Sequence, residues 1–175
     1  MTWPTATALE TSRFSLEPLS QDHADEMTAV LADASLYTFT GDEPPTRDEL
    51  RARYARQSVG HSPSGDAGWL NWIIREKTSQ DAIGYIQATV TVDDNARAAS
   101  MAWLISPAKQ GLGAATEAGI TTVTWLAAQG IQIVRAEIHP DHRASEAVAS
   151  RLGLAPTLAC IDGERVWQRD LRSDG

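Results

Sequence analysis

The spacing of apolar residues changes several times along the chain, and each change marks an element. From Arg13 to Pro18, Phe14 and Leu16 alternate with polar neighbours, the pattern of a short half-buried strand. Ser20 stands as a helix cap ahead of Met27, Val30 and Leu31, which share one helical face. Leu36 to Pro45 is a loop. Thr46 with Glu49 forms a capping box that opens a second helix, running to about Gln57. Gly60 to Gly68 is polar and glycine-rich and is expected to be a mobile loop. Three β-prone runs follow, Trp69 to Glu76, Ala82 to Val92 and Ala98 to Ile105, separated by the turn sequences Lys77–Asp81 and Asp93–Arg97.

After Ile105 the pattern changes again. Gln110 to Ala115 is small and glycine-rich, and a helical stretch then continues to Gln129, where Gly130 stops it. Thr116, Ile120, Val123 and Ala127 form its expected apolar face. Ile131 to Ile138 is β-branched and reads as a buried strand. Ser145 to Leu152 is a short helix ended by Gly153. Leu158–Ile161 and Val166–Leu171 close the chain as a hairpin about Asp162–Gly163. This order predicts a mixed α/β fold: antiparallel strands, then one β–α–β unit, with helices on both faces of the sheet. No repeat or linker divides it. A single domain over residues 9–175 is expected, behind a loose lead-in at 1–8.

Composition narrows the functions. The chain has 175 residues, 42% hydrophobic and 22% charged, ordinary values for one globular domain. No apolar run reaches the ~20 residues of a membrane span, and the first ten residues carry no export signal. The lone cysteine, Cys160, forms no internal disulfide, which fits a reducing cytoplasm; its neighbours Leu158, Ala159 and Ile161 suggest core. A net charge of −8 argues against a nucleic-acid partner and is compatible with a cationic small molecule. Monomer and homodimer both remain open.

The chemistry concentrates between Met101 and Glu117. A strand leads through Pro107 into small residues that open a helix, whose first turn leaves N–H groups unpaired and carries partial positive charge. Gly111, Gly113, Ala114 and Ala115 let a diphosphate approach those groups, and Gln110 can add its amide. An ordinary glycine turn before a surface helix reads equally well. Gly111-x-Gly113 also resembles the start of a dinucleotide fingerprint, although Thr116 stands where its third glycine belongs. No Gly-Lys-Ser/Thr follows, which excludes a P-loop.

Gln110-Gly-Leu-Gly113-Ala-Ala115 resembles the coenzyme A signature of the GNAT acetyltransferase superfamily, Arg/Gln-x-x-Gly-x-Gly/Ala. Leu9-Glu-Thr-Ser-Arg-Phe14, Ile83-Gly-Tyr-Ile86, Ala144-Ser145 with Arg151-Leu-Gly-Leu154, and Arg165–Leu171 are similar to successive segments of its RimL-type branch. The resemblance implies a largely antiparallel sheet whose fourth and fifth strands splay apart for the pantetheine arm. It implies acetyl-CoA or another acyl-CoA as co-substrate, no metal, and acyl transfer to a primary amine, on a small molecule or a protein N-terminus, by direct attack in a ternary complex. Pantetheine is expected along Trp103, Leu104 and Ile105, and diphosphate on Gln110, Gly111, Leu112, Gly113, Ala114 and Ala115.

Two positions depart from the family. His142 replaces an asparagine three residues before the serine, and Ser100 replaces a glutamate common on the fourth strand. His142 is therefore expected near the cofactor. Ser145 matches the serine near the coenzyme's sulfur and is the expected partner of the leaving thiolate; it reads equally as a helix N-cap. Glu137 reads as the general base or as a solvated strand-face carboxylate. Tyr37, Phe39, Asp42 and Glu43 lie on the loop that lines the acceptor pocket in relatives. His139 and His142 are too few for a zinc site. The missing glutamate keeps a non-catalytic acyl-CoA sensor open as an alternative, and the paired glycines keep a nicotinamide-dependent oxidoreductase open.

Overall fold

Phe14 and Leu16, with the three β-prone runs of the middle of the chain, become neighbours in one eight-stranded sheet. The computed structural model describes residues 2–174. In chain order the elements are β1 (Leu9–Glu10), β2 (Phe14–Pro18), α1 (Ala24–Val30), α2 (Arg47–Gln57), β3 (Gly68–Glu76), β4 (Ala82–Asp93) and β5 (Ala96–Ile105). They continue with α3 (Ala114–Ala128), β6 (Ile133–Ile138), α4 (Arg143–Arg151), β7 (Ala155–Ile161) and β8 (Glu164–Asp170). The strand order is β1-β2-β3-β4-β5-β6-β8-β7. Every neighbouring pair is antiparallel except β5 with β6, the two strands joined through α3. This is the mixed, mostly antiparallel architecture that the element order predicts.

Strand alternation sends side chains to two cores. On one face Leu70, Trp72, Ile86, Met101, Val134 and Ala136 pack against Ala118 and Leu126 of α3 and Ala149 of α4. On the other, Ile73 meets Met27 and Leu31 from α1 and its C-terminal end, and Leu50 and Tyr54 of α2, with Tyr85 and Leu104 alongside. The capping box of α2 forms as expected, Glu49 N–H donating to Thr46 Oγ1 at 3.2 Å and Thr46 N–H to Glu49 Oε2 at 2.9 Å. Asp94 and Asn95 both take positive φ, +48° and +65°, the two-residue turn that matches the twist of the β4–β5 hairpin.

The structure adds detail to four local expectations. The buried face of α3 includes Val123, as expected, but is otherwise made by Ala114, Ala118, Gly119, Thr122 and Leu126, and Ile120 is half exposed. Small residues face inward because α4 crosses close by: a methyl on Gly119 would lie 2.7 Å from Leu152. Cys160 is exposed, with Leu158 and Ile161, because β7 is the outer edge of the sheet. The segment 60–68 is tied by Asp66, which accepts from Ser62 and Ser64 at 2.6 and 2.7 Å. Residues 2–8, expected as a loose lead-in, lie along the sheet: Trp3 packs on Gly68, and the Trp72 indole donates to Thr7 O at 2.7 Å.

The close approach of β4 to the end of β5 is set by one glycine. Gly84 pairs with Ile105, and a methyl placed on Gly84 would overlap the Leu104 carbonyl oxygen. Backbone cannot move aside as a flexible side chain does, so Gly84→Ala is expected to destabilise the fold by about 3 kcal/mol or more. Denaturant unfolding of the variant checks this, and an unchanged midpoint would show that β5 is free to shift.

Candidate active site

The β5–β6 pairing is short. Ala98, Ala99 and Ser100 pair with Ile133, Val134 and Arg135, and no further pairs follow, although β5 runs to Ile105 and β6 to Ile138. The cause lies on the outer edges, where β5 keeps its register with β4 to Ile105 and β6 keeps its register with β8 to Ile138. From Met101 onward the edge of β5 that faces β6 has no strand partner. Trp103 packs against the core on the α3 face, Leu104 against that on the α1–α2 face, and Ile105 is buried.

Two helices begin at the end of the molecule where these strands part. Ahead of α3, the first amide to close a helical bond is that of Glu117, onto Gly113 O at 3.0 Å. The N–H groups of Gly111, Leu112, Gly113, Ala114, Ala115 and Thr116 donate to nothing among the described residues. Gly111 and Gly113 take positive φ, +74° and +81°, which L side chains resist, and the space beside Gly111 is open. Six free donors at a helix start form a cradle for an anion.

The cradle is braced from outside. Glu117 accepts from Thr11 Oγ1 at 2.8 Å, from Arg13 N–H at 2.9 Å and from Arg13 Nε at 2.7 Å. Arg13 also donates to Leu112 O at 2.9 Å, and Lys109 pairs with Glu76 at 2.8 Å. The Gln110 side chain donates to Ile105 O at 2.9 Å, so its N–H braces the loop and is not aimed outward. Glu117 lay outside the sequence-based site; its spacing of four from Gly113 was the available signal.

At the start of α4 the N-cap is His142, and Ser145 is the third helical residue, which corrects the expectation of a Ser145 cap. The imidazole does what asparagine does at such a position: Nδ1 accepts from Ser145 N–H at 3.4 Å. Its other nitrogen lies 3.1 Å from Ser145 Oγ. A ring that accepts at Nδ1 carries its proton at Nε2, and that proton is directed at the serine oxygen. Burial, reinforced by the charge of His139 and opposed by that of Glu146, holds the His142 pKa below its usual value and favours this neutral ring.

The loop between α1 and α2 reaches the same place. Phe39 stacks on His142 with ring centroids 4.5 Å apart and meets His139 at 5.2 Å. Tyr37 donates its hydroxyl to Leu31 O at 2.7 Å. Asp42 acts electrostatically on Tyr37 and Tyr85, whose phenols burial holds above their usual range. Glu43 is exposed. Glu137 projects from β6 on the α1–α2 face, opposite Val166. Glu164, one step along β8, has its carboxyl pKa raised by partial burial and by the charge of Glu137. Glu137, Glu164 and His139 thus form a titratable group that the sequence did not bring together.

Between α2 and the sheet lies a groove absent from the sequence-based site. Arg53, Arg56 and Gln57 form one wall, and Trp69, Asn71, Gln87 and Thr89 form the floor, around a cavity of about 340 Å³. The signal was present: Arg53, Arg56 and Gln57 recur at helical spacing, and Asn71 and Gln87 are polar among the apolar residues of central strands.

A family model described as an acetyltransferase (GNAT) domain matches residues 13–155. No match is found among curated proteins. Several solved structures share the architecture. RimL, the ribosomal L7/L12 alpha-N-protein acetyltransferase in complex with coenzyme A, is 17% identical with a TM-score of 0.77, over 96% of this chain and 100% of its own. The acetyltransferase from Agrobacterium tumefaciens str. C58 is 21% identical with a TM-score of 0.70, over 97% of both chains. The aminoglycoside acetyltransferase AAC(6')-Ib in complex with coenzyme A is 14% identical with a TM-score of 0.74, over 91% of this chain and 96% of its own. Identities this low carry the fold, and the family model, which spans most of the chain, carries the lineage. With a sheet that splits between its two parallel strands and a glycine-rich helix start at the split, this chain belongs to the GNAT acetyltransferase family.

Proposed function

We propose that the protein transfers an acyl group, acetyl in the simplest case, from acyl-CoA to a primary amine by direct attack in a ternary complex. The observation that carries this reading is the run of six free amides, Gly111 to Thr116, at the mouth of the β5–β6 split. The residues fit a coenzyme A diphosphate: six consecutive amides lack an acceptor, two glycines remove side chains from the approach, and the helix start adds partial positive charge. The free edge of β5 from Met101 to Ile105 offers backbone groups to the amides of a pantetheine arm, as an unpaired strand edge does to a peptide. The names of RimL and of the aminoglycoside enzyme, whose acceptors are a protein N-terminus and an aminoglycoside, support an amine acceptor.

Bound acyl-CoA supplies an activated thioester; the chain's residues position the amine, take its proton and stabilise the leaving sulfur. An ammonium has no lone pair, so a base must act before attack. Glu137 on the α1–α2 face of the split is the proposed base, directly or through water, with Glu164 and His139 as neighbours that set its environment. Ser145 is the proposed thiolate donor. Because Nε2–H of His142 is directed at Ser145 Oγ, the serine's own proton is free to point elsewhere, toward a sulfur that gains charge. Phe39, held on the His142 ring, closes the acceptor side together with Tyr37, Asp42 and Glu43.

Mass-spectrometric detection of acetyl transfer from acetyl-CoA to a panel of amines tests the proposal, and coenzyme A binding without transfer to any amine would leave a sensor. Ser145→Ala is expected to lower single-turnover transfer at saturating acetyl-CoA by roughly ten- to a thousandfold, one hydrogen bond to developing charge. The cap belongs to His142, so stability should change by only ~0.5 kcal/mol or less. A wild-type rate in Ser145→Ala removes the assignment.

His142 gives a pH test. Its folded pKa lies below that of the unfolded chain, so the neutral ring and its cap contribute fully above the ordinary histidine range. They are lost as pH falls through the depressed value. Turnover and stability should both decline on that acid side. His142→Asn keeps a cap without a titrating ring, so its stability should lose that acid-side decline. Identical pH–stability curves for the two proteins would contradict this.

A further inference from the structure

The groove under α2 has a chemistry opposite to that of the protein around it. The chain carries a net charge of −8, and the other two arginines of α2, Arg47 and Arg51, lie against Asp25 at 2.6 and 3.8 Å. The side chains of Arg53 and Arg56 make no hydrogen bond and no close ion pair among the described residues, Glu49 one turn away interacting with Arg53 only at longer range, and both border the cavity. Gln57, Asn71 and Gln87 add three carboxamides, each able to donate. The cavity has no carboxylate in its lining. Two guanidiniums free of close ion pairs, with three carboxamides lining the same cavity, match the chemistry of a carboxylate or a phosphate.

The groove leads to the split in the sheet. Asn71, Gln87 and Ala102 stand side by side across β3, β4 and β5, as do Trp69, Thr89 and Ser100. Directly paired residues share a face, so Ser100 and Ala102 continue the groove floor toward β6. Both are small, and Ala102 is exposed, so the floor is open between the arginine wall and the edge where Glu137 projects. Strand spacing puts the two ends on the order of 10–15 Å apart.

We propose that this groove holds the far end of the acceptor and selects amines that carry an anionic group, a carboxylate or a phosphate, on the order of 10 Å from the reacting nitrogen. Arg53 and Arg56 supply the counter-charge, and Asn71 and Gln87 orient the anion. The proposal rests on the acyltransferase reading above and adds the class of acceptor. It gives a negatively charged protein a locally positive acceptor channel, so attraction of the substrate is set by the groove and not by the net charge.

The test uses two matched pairs with acetyl-CoA as donor. One is the tripeptide Ala-Ala-Ala with a free carboxylate against its C-terminal amide; the other is 6-aminohexyl phosphate against 6-aminohexanol. The anionic member of at least one pair is expected to have a kcat/KM at least tenfold above its neutral partner, and the pair that shows it identifies carboxylate or phosphate. Arg53→Gln with Arg56→Gln should reduce that preference by roughly ten- to a hundredfold, mainly through acceptor KM, with the KM for acetyl-CoA unchanged. Arg51→Gln, on the same helix outside the groove, should leave the preference intact. Because Arg53 and Arg56 are exposed, the melting temperature reports whether the double variant is folded, and Arg56→Lys should retain much of the preference. Equal rates within both pairs, transfer only to amines outside them, or a preference that survives the double substitution would overturn the inference. Loss of acetyl-CoA binding in the wild-type protein, with no transfer to any amine, would instead overturn the acyltransferase reading.

Discussion

Everything at the site depends on β5 and β6 sharing a sheet for three residue pairs and then parting. Backbone donors and acceptors must be paired with something, so two strands that leave one another expose edges that a third extended chain can satisfy. The split persists because each strand is held on its other side, β5 by β4 along its full length and β6 by β8. Gly84 allows the first of these contacts to be as close as it is. The same parting directs the starts of α3 and α4 toward one opening, since each helix follows the end of one of the two strands.

The opening is therefore built from backbone on one side and from a few side chains on the other. On the α3 side, free amides and positive-φ glycines bring attraction without side-chain charge, and Arg13, Lys109 and Glu117 spend their charges on bracing. On the α4 side the His142 imidazole occupies the cap, its Nδ1 accepting from Ser145 N–H and its Nε2 facing Ser145 Oγ. The α1–α2 face carries acids beside the split, Glu137 and Glu164, and cations at the groove under α2, Arg53 and Arg56. That polarity suits the proposed acceptor, which carries opposite charges at its two ends.

Much of this was legible in the sequence where local chemistry decides the structure. Thr46 and Glu49 cap α2 by contacts three residues apart, and Gly111 and Gly113 adopt the backbone that only glycine favours. Most of what failed depends on partners far along the chain. The inward face of α3 was read correctly only at Val123, because Gly119 faces inward by its close contact with Leu152, the residue that ends α4. Cys160 reads as core among Leu158 and Ile161, yet β7 is outermost in the sheet. Ser145 resembles a cap, and the cap is a histidine, a residue type with little preference for that place. The groove was missed because Arg53 and Arg56 look like any solvated helix face until Asn71 and Gln87, from two strands, are set beneath them.

The central claim is that the edge of β5 and the amides ahead of α3 are kept free for one ligand. Backbone amide NMR of the uniformly labelled protein, titrated with coenzyme A, reads both surfaces at once. The account predicts large shift changes and slowed hydrogen exchange at Gly111 to Thr116 and along Met101 to Ile105. Amides of β1 to β3, two or more strands from the split, should change little. Saturation with coenzyme A that leaves Gly111 to Thr116 unshifted, or that perturbs only residues distant from the split, would contradict it.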